Sequence, residues 1–313
     1  MKPLVSIVCP AYNRAALLGE CVNSVLDCQE IAIEFIIVDD GSNDDTPAVC
    51  KNLQQELQEV VKVVRWETNE GAQVARNRGF AMATGDFVMF LDSDDVVVSE
   101  QLVQAARLLR ENAELDFVYG KTLRVDQDLV PIPGAPSIGS KFSPSPIDIA
   151  GYHWAIMAAL YRRTFLQAIG PWNERLSGSQ DWEFQARVKI AGGRGLFLDA
   201  VVGLAREHHG SRVGTRNFRP DYVRSVMVAS EAILKKARAR RVCDEKLERR
   251  IAKRLVLHAL EWGSNGCRLE RKECMWQAYE CMTTLQPLKL VVAFFQILPP
   301  ALDGLIFRAL RKA

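Results

Sequence analysis

Gly85-Asp86-Phe87-Val88-Met89-Phe90-Leu91-Asp92-Ser93-Asp94-Asp95 is the stretch whose reading decides the fold. Phe87 to Leu91 is apolar, follows a Gly-Asp turn signal and includes β-branched and aromatic residues, so it reads as a buried strand. The run ends in three carboxylates within four positions. Acids that close repel one another and lose hydration unless a cation sits with them. Oxygen ligands at that density suit a hard divalent ion such as Mg²⁺ or Mn²⁺. Taken alone, the same run also reads as a solvated acidic loop, with Asp95 or Ser99 capping a following helix.

On the amino-terminal side, Leu4 to Cys9 is a short apolar strand that the sequence ends at Pro10-Ala11-Tyr12-Asn13. Asn13 is placed to cap a helix whose stripe is Leu17, Leu18, Cys21, Val22 and Val25. A second strand, Ile33 to Val38, runs into Asp39-Asp40-Gly41-Ser42 and then a helical pattern through Val49, Leu53 and Leu57. Val60 to Trp66 is a third strand, followed by Asn69-Glu70-Gly71 and a helix through Val74 to Gly79. This alternation predicts an α/β fold with a mainly parallel sheet and right-handed crossovers. Ligands of such sheets bind at the carboxyl ends of the strands, where Tyr12-Asn13, Asp39-Asp40 and Asp92 to Asp95 all fall. There is no Gly-x-Gly-x-x-Gly after the first strand and no Gly-Lys-Ser/Thr, which excludes a dinucleotide fingerprint and a P-loop. Phosphates are then left to a metal on the acidic cluster.

On the other side, Phe117 to Gly120 is a strand, and 131–146 is a Pro/Gly/Ser-rich surface loop of the kind that covers a site. Ala155 to Phe165 is apolar, and residues 220–285 read as helices with a basic run from Lys235 to Arg241. Leu288 to Leu298 is almost wholly apolar and is stopped by Pro299-Pro300. It is too short to cross a hydrocarbon core that needs about 20 residues. Lying in a membrane interface is compatible, and so is packing on the catalytic domain or on a second subunit.

Charge is unevenly spread. Residues 1–205 hold 18 Lys and Arg against 27 Asp and Glu, whereas 206–313 hold 22 against 11. The carboxyl-terminal part is therefore expected to touch something anionic. No nucleic-acid module accompanies it, so a nucleic-acid partner is not expected. Eight cysteines without a CxxC pair, and a start without signal-peptide character, predict a reducing, cytoplasmic setting. Cys267, Cys274 and Cys281 recur every seventh residue. On a helix that spacing rises about 10 Å per step, too far to share one zinc, so they read as buried small hydrophobes.

Pro10-Ala11-Tyr12-Asn13, Val38-Asp39-Asp40-Gly41-Ser42, Asn69-x-Gly71, Ala75-Arg76-Asn77 and Leu91-Asp92-Ser93-Asp94-Asp95 resemble the successive motifs of the family 2 glycosyltransferases, inverting enzymes with the GT-A fold. The resemblance covers about residues 3–215. It implies a GT-A-type, Rossmann-like catalytic domain over 1–215, with a nucleotide-binding half to about 115 and an acceptor half after it. A helical region follows over 216–313. By that resemblance Pro10, Tyr12 and Asp40, with Asp39 beside it, hold the nucleotide base, Asn13 is among the residues that bind the nucleotide-sugar, and Arg76 is a cation near the nucleotide. Asp92 and Ser93 lie by the donor, and Asp94 or Asp95 is the ligand of a Mn²⁺ or Mg²⁺ ion. The sequence does not rank the last two.

Ser179-Gln180-Asp181-Trp182-Glu183 resembles the acid pair opening a helix in the family's acceptor half, with Gln180 where many relatives have another acid. Asp181 takes the place of the catalytic base; by itself it reads as a helix cap. Arg206-Glu207-His208-His209-Gly210-Ser211 resembles the family's closing loop. His208 keeps the spacing of a histidine that reaches the metal or diphosphate, with His209 its rival. The implied activity is transfer of a sugar from a nucleotide donor, UDP-linked by expectation, to a glycan or lipid-linked glycan. The expected setting is the cytoplasm or the inner face of the membrane, with a homo-oligomer left open. A sugar-phosphate nucleotidyltransferase would want a Gly-rich, basic loop after the first strand, which residues 10–14 are not. A non-catalytic sugar-nucleotide-binding scaffold is the other alternative.

Overall fold

The computed structural model describes residues 2, 4–28, 30–141, 146–207, 220–264, 268–283, 289 and 292. The strands are β1 (Leu4–Ala11), β2 (Ala32–Asp40), β3 (Val61–Trp66), β4 (Phe87–Phe90), β5 (Val96–Val97), β6 (Phe117–Val125), β7 (Ala159–Arg162) and β8 (Gly195–Arg206). The first six helices are α1 (Leu18–Asn23), α2 (Thr46–Glu56), α3 (Ala72–Met82), α4 (Ser99–Glu111), α5 (Pro146–Ile149) and α6 (Arg163–Ile169). Four more follow: α7 (Gln180–Ile190), α8 (Pro220–Ala239), α9 (Glu245–Ser264) and α10 (Arg268–Glu280). They form two compact units. One comprises 1–142, 153–174 and 193–209, the other 143–152, 175–192 and 210–313.

The first unit is built on a sheet of order β3-β2-β1-β4-β7-β6-β8-β5. The β3-β2-β1-β4 half is parallel, as the alternation of strands and helices predicts. Val5, Ile7, Val8, Phe35, Ile36, Ile37 and Val88 are wholly buried, so the central strands are apolar on both faces. Beyond β4 the sheet turns mixed: β7 joins antiparallel to β4 and β6, β8 runs parallel to β6, and β5 closes the edge antiparallel.

Local departures from the sequence reading have physical causes. β1 does not stop at Pro10 but continues to Ala11, with Pro10 opposite Val38. Pairing with β4 ends at Val8 and Phe90, so on that flank the missing proline N–H leaves no ladder bond unmade. Asn13 is not a helix cap. It has φ 53, and its side-chain carbonyl accepts the N–H of Asn43, while α1 begins only after Leu17. Neither Asp95 nor Ser99 caps α4, whose N-cap is Val98. The 131–141 part of the surface loop is partly paired, with Ile138 bonded to Thr122 through both main-chain groups.

The amino ends of the strands are tied by a buried acid. Glu34 accepts Ser6 Oγ at 2.5 Å, Lys62 Nζ at 2.5 Å, and Thr84 N and Oγ1 at 2.9 Å each. Ser6 Oγ in turn accepts the N–H of Gly85, which fixes where β4 starts.

The second unit is helical. Trp182, Ala186 and Ile190 of α7 share one buried cluster with Val226 and Ile233 of α8, with Ile251, Leu255 and Trp262 of α9, and with Met275 of α10. α7 also holds the short 148–151 segment. Trp182 Nε1 donates to the Ala150 carbonyl at 2.9 Å, and Lys189 Nζ to those of Asp148 and Gly151 at 2.9 and 2.6 Å. Cys274 and Cys281 are buried as small apolar groups, while Cys267 lies outside the described residues. So does the Leu288 to Leu298 stretch, apart from Lys289 and Val292. Among the described residues no helix is long and apolar enough to cross a membrane.

Candidate active site

The parallel register brings Ala11 level with Asp39 and Val8 level with Phe90, so the turns after β1, β2 and β4 share one rim of the sheet. Tyr12, Asp39, Asp40 and Asp92 to Asp95 are thus carried to one edge by strands far apart in sequence.

Asp39 and Asp40 stay within β2, and strand alternation sends them to opposite faces. Asp39 is buried. Its Oδ1 accepts the N–H of Ser42 at 3.0 Å, and its Oδ2 faces Arg65 Nε at 3.4 Å without hydrogen-bond geometry. Asp40 accepts the N–H groups of Glu70 at 3.1 Å and Gly71 at 2.7 Å, one on each oxygen. The paired acids therefore divide their work: Asp40 pins the loop after β3, while Asp39 keeps an oxygen without a hydrogen bond. Gly41 is required between these turns. Its φ is +74, and a Cβ there would stand 2.7 Å from the Thr68 carbonyl carbon.

The acids after β4 each meet a cation or a donor. Arg76, buried on α3, places Nη2 2.6 Å from Asp92 Oδ1 and lies over the Trp172 ring at 4.6 Å. Its neighbour Asn77 exchanges two bonds with the Trp172 backbone, at 2.7 and 3.0 Å, and donates to Glu174 Oε1 at 2.8 Å. Arg14 faces Asp94 Oδ2 at 3.6 Å. Asp95 Oδ1 accepts the N–H of Arg206 at 2.9 Å, and Arg206 Nε donates to the Asp94 carbonyl at 3.0 Å. The Arg206 guanidinium also bonds to Gln127 O and Glu20, so it ties the acidic turn to α1 and to the segment after β6. Ser93 is buried within this turn, Pro10 is buried in β1, and Tyr12 is exposed.

Among the described residues no group of three or more His, Cys, Asp or Glu side chains converges to hold an ion. The donor set still fits a hard divalent cation: Asp92 and Asp94 are carboxylates, and each already accommodates a positive group. His208 and His209 lie outside the described residues. Asp181 belongs to the second unit, half-buried in the first turn of α7. The N-cap there is Ser179, in the left-handed region, so Asp181 is not the cap. Glu183, in the same turn, is buried against Arg187 Nε at 2.8 Å.

Sequence reasoning does not single out Arg14, Asn77, Trp172 or Arg206 as site residues, although two of them stand beside residues it does. The signals lie in Asn13-Arg14, Arg76-Asn77 and the Arg206 that opens the closing loop.

Comparisons with known proteins bear on the fold and the family. The profile of "Glycosyl transferase family 2" matches residues 6–169. The glycosyltransferase GlyG of Streptococcus pneumoniae is 33% identical over 127 residues, 41% of this chain and 42% of that protein. A PGL/p-HBAD biosynthesis glycosyltransferase of Mycobacterium tuberculosis is 29% identical over 186 residues, 59% of this chain and 69% of that one. The chain thus spans less than half of the pneumococcal relative. Among solved structures, S. aureus TarS 1–349 in complex with UDP-GlcNAc superposes with TM-score 0.71 at 21% identity, over 95% of this chain and 88% of that one. That likeness carries the fold, and the profile spans β1 to α6 with the acids at the rim inside it. This chain belongs to glycosyl transferase family 2.

Proposed function

We propose that this protein transfers one sugar, with inversion, from a UDP-linked donor to a hydroxyl of a glycan or lipid-linked glycan. The observation that carries the reading is the rim itself, where Asp92 and Asp94 follow β4 beside Asp39, Asp40 and Tyr12. Support for the donor comes from the related fold of S. aureus TarS, solved with UDP-GlcNAc. Support for a glycan acceptor comes from relatives such as a putative teichuronic acid biosynthesis glycosyltransferase of Bacillus subtilis, 39% identical over 112 residues.

In this reading Tyr12 offers an aromatic face to the uracil, with the Asp39-Asp40 acids to meet its imide N–H. Asp40 acts through the loop it pins. Asp94 with Asp92 would hold a Mn²⁺ or Mg²⁺ ion, aided by His208, and the ion would neutralise charge on the departing diphosphate. Arg76 fixes the orientation of Asp92. Asp181 takes the proton of the attacking hydroxyl, and its place in the first turn of a helix favours the ionised form that accepts it. The excess of positive charge after residue 206 supports peripheral contact with an anionic membrane face.

The test is release of UDP from a panel of UDP-sugars with Mn²⁺, by wild type and by Asp94→Ala. Release by the wild type, abolished in the variant, is expected. If no UDP-sugar is turned over or bound, the donor assignment is wrong.

A further inference from the structure

Arg14 is held by a fastened junction. Its backbone N–H donates to Thr46 Oγ1 at 2.7 Å, that of Asn13 to Ser42 Oγ at 3.0 Å, and that of Ala15 to Asp44 Oδ2 at 3.4 Å. The turn after β1 is thereby bound to the turn after β2. Main-chain carbonyls then hold one end of the guanidinium: Nη1 donates to Tyr12 O at 3.3 Å and Asn13 O at 3.0 Å. The other end, Nη2, faces Asp94 Oδ2 at 3.6 Å, a distance within ion-pair range but beyond a hydrogen bond. Both side chains are largely covered, 22% and 14% exposed, so the charges interact more strongly than on an open surface. Arg14 is anchored by the backbone and only leans on Asp94.

We propose that Arg14 is a counter-ion that Asp94 exchanges for a divalent cation, after which the guanidinium turns to the donor's diphosphate. The inference rests on the donor and metal assignments above and adds a phosphate-binding role that they do not contain. The electrostatics are direct. A divalent ion on Asp94 and a guanidinium at 3.6 Å from the same carboxylate repel, so the two compete for Asp94 while no other anion is present. A nucleoside diphosphate supplies that anion. A planar guanidinium can then make paired bonds to phosphate oxygens while keeping its backbone anchors nearby.

Two titrations of the full chain test this. Mn²⁺ alone is followed by loss of the free-ion paramagnetic resonance signal, and UDP with saturating Mn²⁺ by calorimetry. Arg14→Gln is expected to bind Mn²⁺ alone about threefold tighter and UDP about tenfold more weakly. These opposite signs separate the proposal from general damage to the fold, which weakens both. Arg14→Lys keeps the charge without the fork. It should leave Mn²⁺ affinity within about twofold of wild type and still lose UDP affinity. Mn²⁺ binding to Arg14→Gln that is no tighter than wild type, or UDP binding that is unchanged, overturns the proposal. If Arg14→Gln does not fold, undiminished UDP affinity in Arg14→Lys does the same. Wild type that binds no UDP at all removes the donor assignment first, a failure visible before any variant is compared.

Discussion

Arg76 sits between Asp92 and Trp172, with Nη2 2.6 Å from the carboxylate and the guanidinium carbon 4.6 Å from the centre of the indole ring. The acid is partly open to solvent, with a side chain 36% exposed, while the arginine is 4% exposed. The buried partner therefore fixes the exposed one. This bears on the charge problem posed by the acidic turn. The chain's own arginines already balance it, with Arg76 on Asp92 and Arg14 facing Asp94.

Replacing Arg76 by Ala should leave Asp92 without its orienting partner. UDP binding in the presence of Mn²⁺ is expected to weaken by about 1.5–3 kcal/mol, the worth of a charge-assisted hydrogen bond. Arg76→Lys should recover only part, because an ammonium cannot combine the carboxylate contact with stacking on Trp172. Calorimetric affinities equal to wild type would show that Asp92 does not need this contact.

Asp181→Asn should separate binding from chemistry. UDP affinity is expected to stay within about twofold of wild type, while transfer falls about 10²–10⁴-fold, the usual contribution of a general base. A rate assay at saturating donor decides it. Transfer at the wild-type rate would remove Asp181 from the mechanism.

Glu34 supplies a pH-dependent part of stability. Burial pushes its carboxyl up, but hydrogen bonds from Lys62, Ser6 and Thr84 outweigh that and bring it down to about 2. A carboxyl lowered on folding stabilises above its unfolded value, near 4.5, and that stability is lost as pH falls towards 2. Glu34→Gln should therefore cost about 1–3 kcal/mol at pH 7, with the gap to wild type closing between pH 4.5 and 2. Urea unfolding at pH 7 and about pH 3 measures both; a gap independent of pH would contradict the assignment.

Gly41→Ala combines an unfavourable φ with a Cβ placed 2.7 Å from the Thr68 backbone. A loss of about 1–3 kcal/mol in unfolding free energy is expected from the strained backbone alone. Because Thr68 leads into the loop that Asp40 pins, UDP affinity should fall as well. A stable variant with unaltered UDP affinity would mean that the 68–71 loop does not shape the donor site.

Much of the parallel half of the sheet is legible in the sequence because its signals are local. Val5 to Cys9, Phe35 to Val38 and Phe87 to Leu91 are apolar runs closed by polar turns, and each appears as a buried strand or its continuation. Pro10 and Asn13 escape a local reading because their surroundings are distant in the chain. Pro10 is tolerated because of where pairing with β4 ends, and the Asn13 side chain is engaged by Asn43, 30 positions away. The antiparallel β7 and the parallel β8 have no comparable signature, since their direction depends on which neighbour they meet.

By itself the sequence determined the order of strands and helices in the parallel half and the placing of Tyr12, Asp39, Asp40 and Asp92 to Asp95 at strand ends, because periodicity and turn chemistry act over a few residues. Tertiary structure alone decided which cation faces which acid and that Asp40 pins a loop while Asp39 does not. It also decided that Arg206 ties down Asp94 from 112 positions away. Such pairings are set by sheet register and packing, which join residues that no local pattern relates.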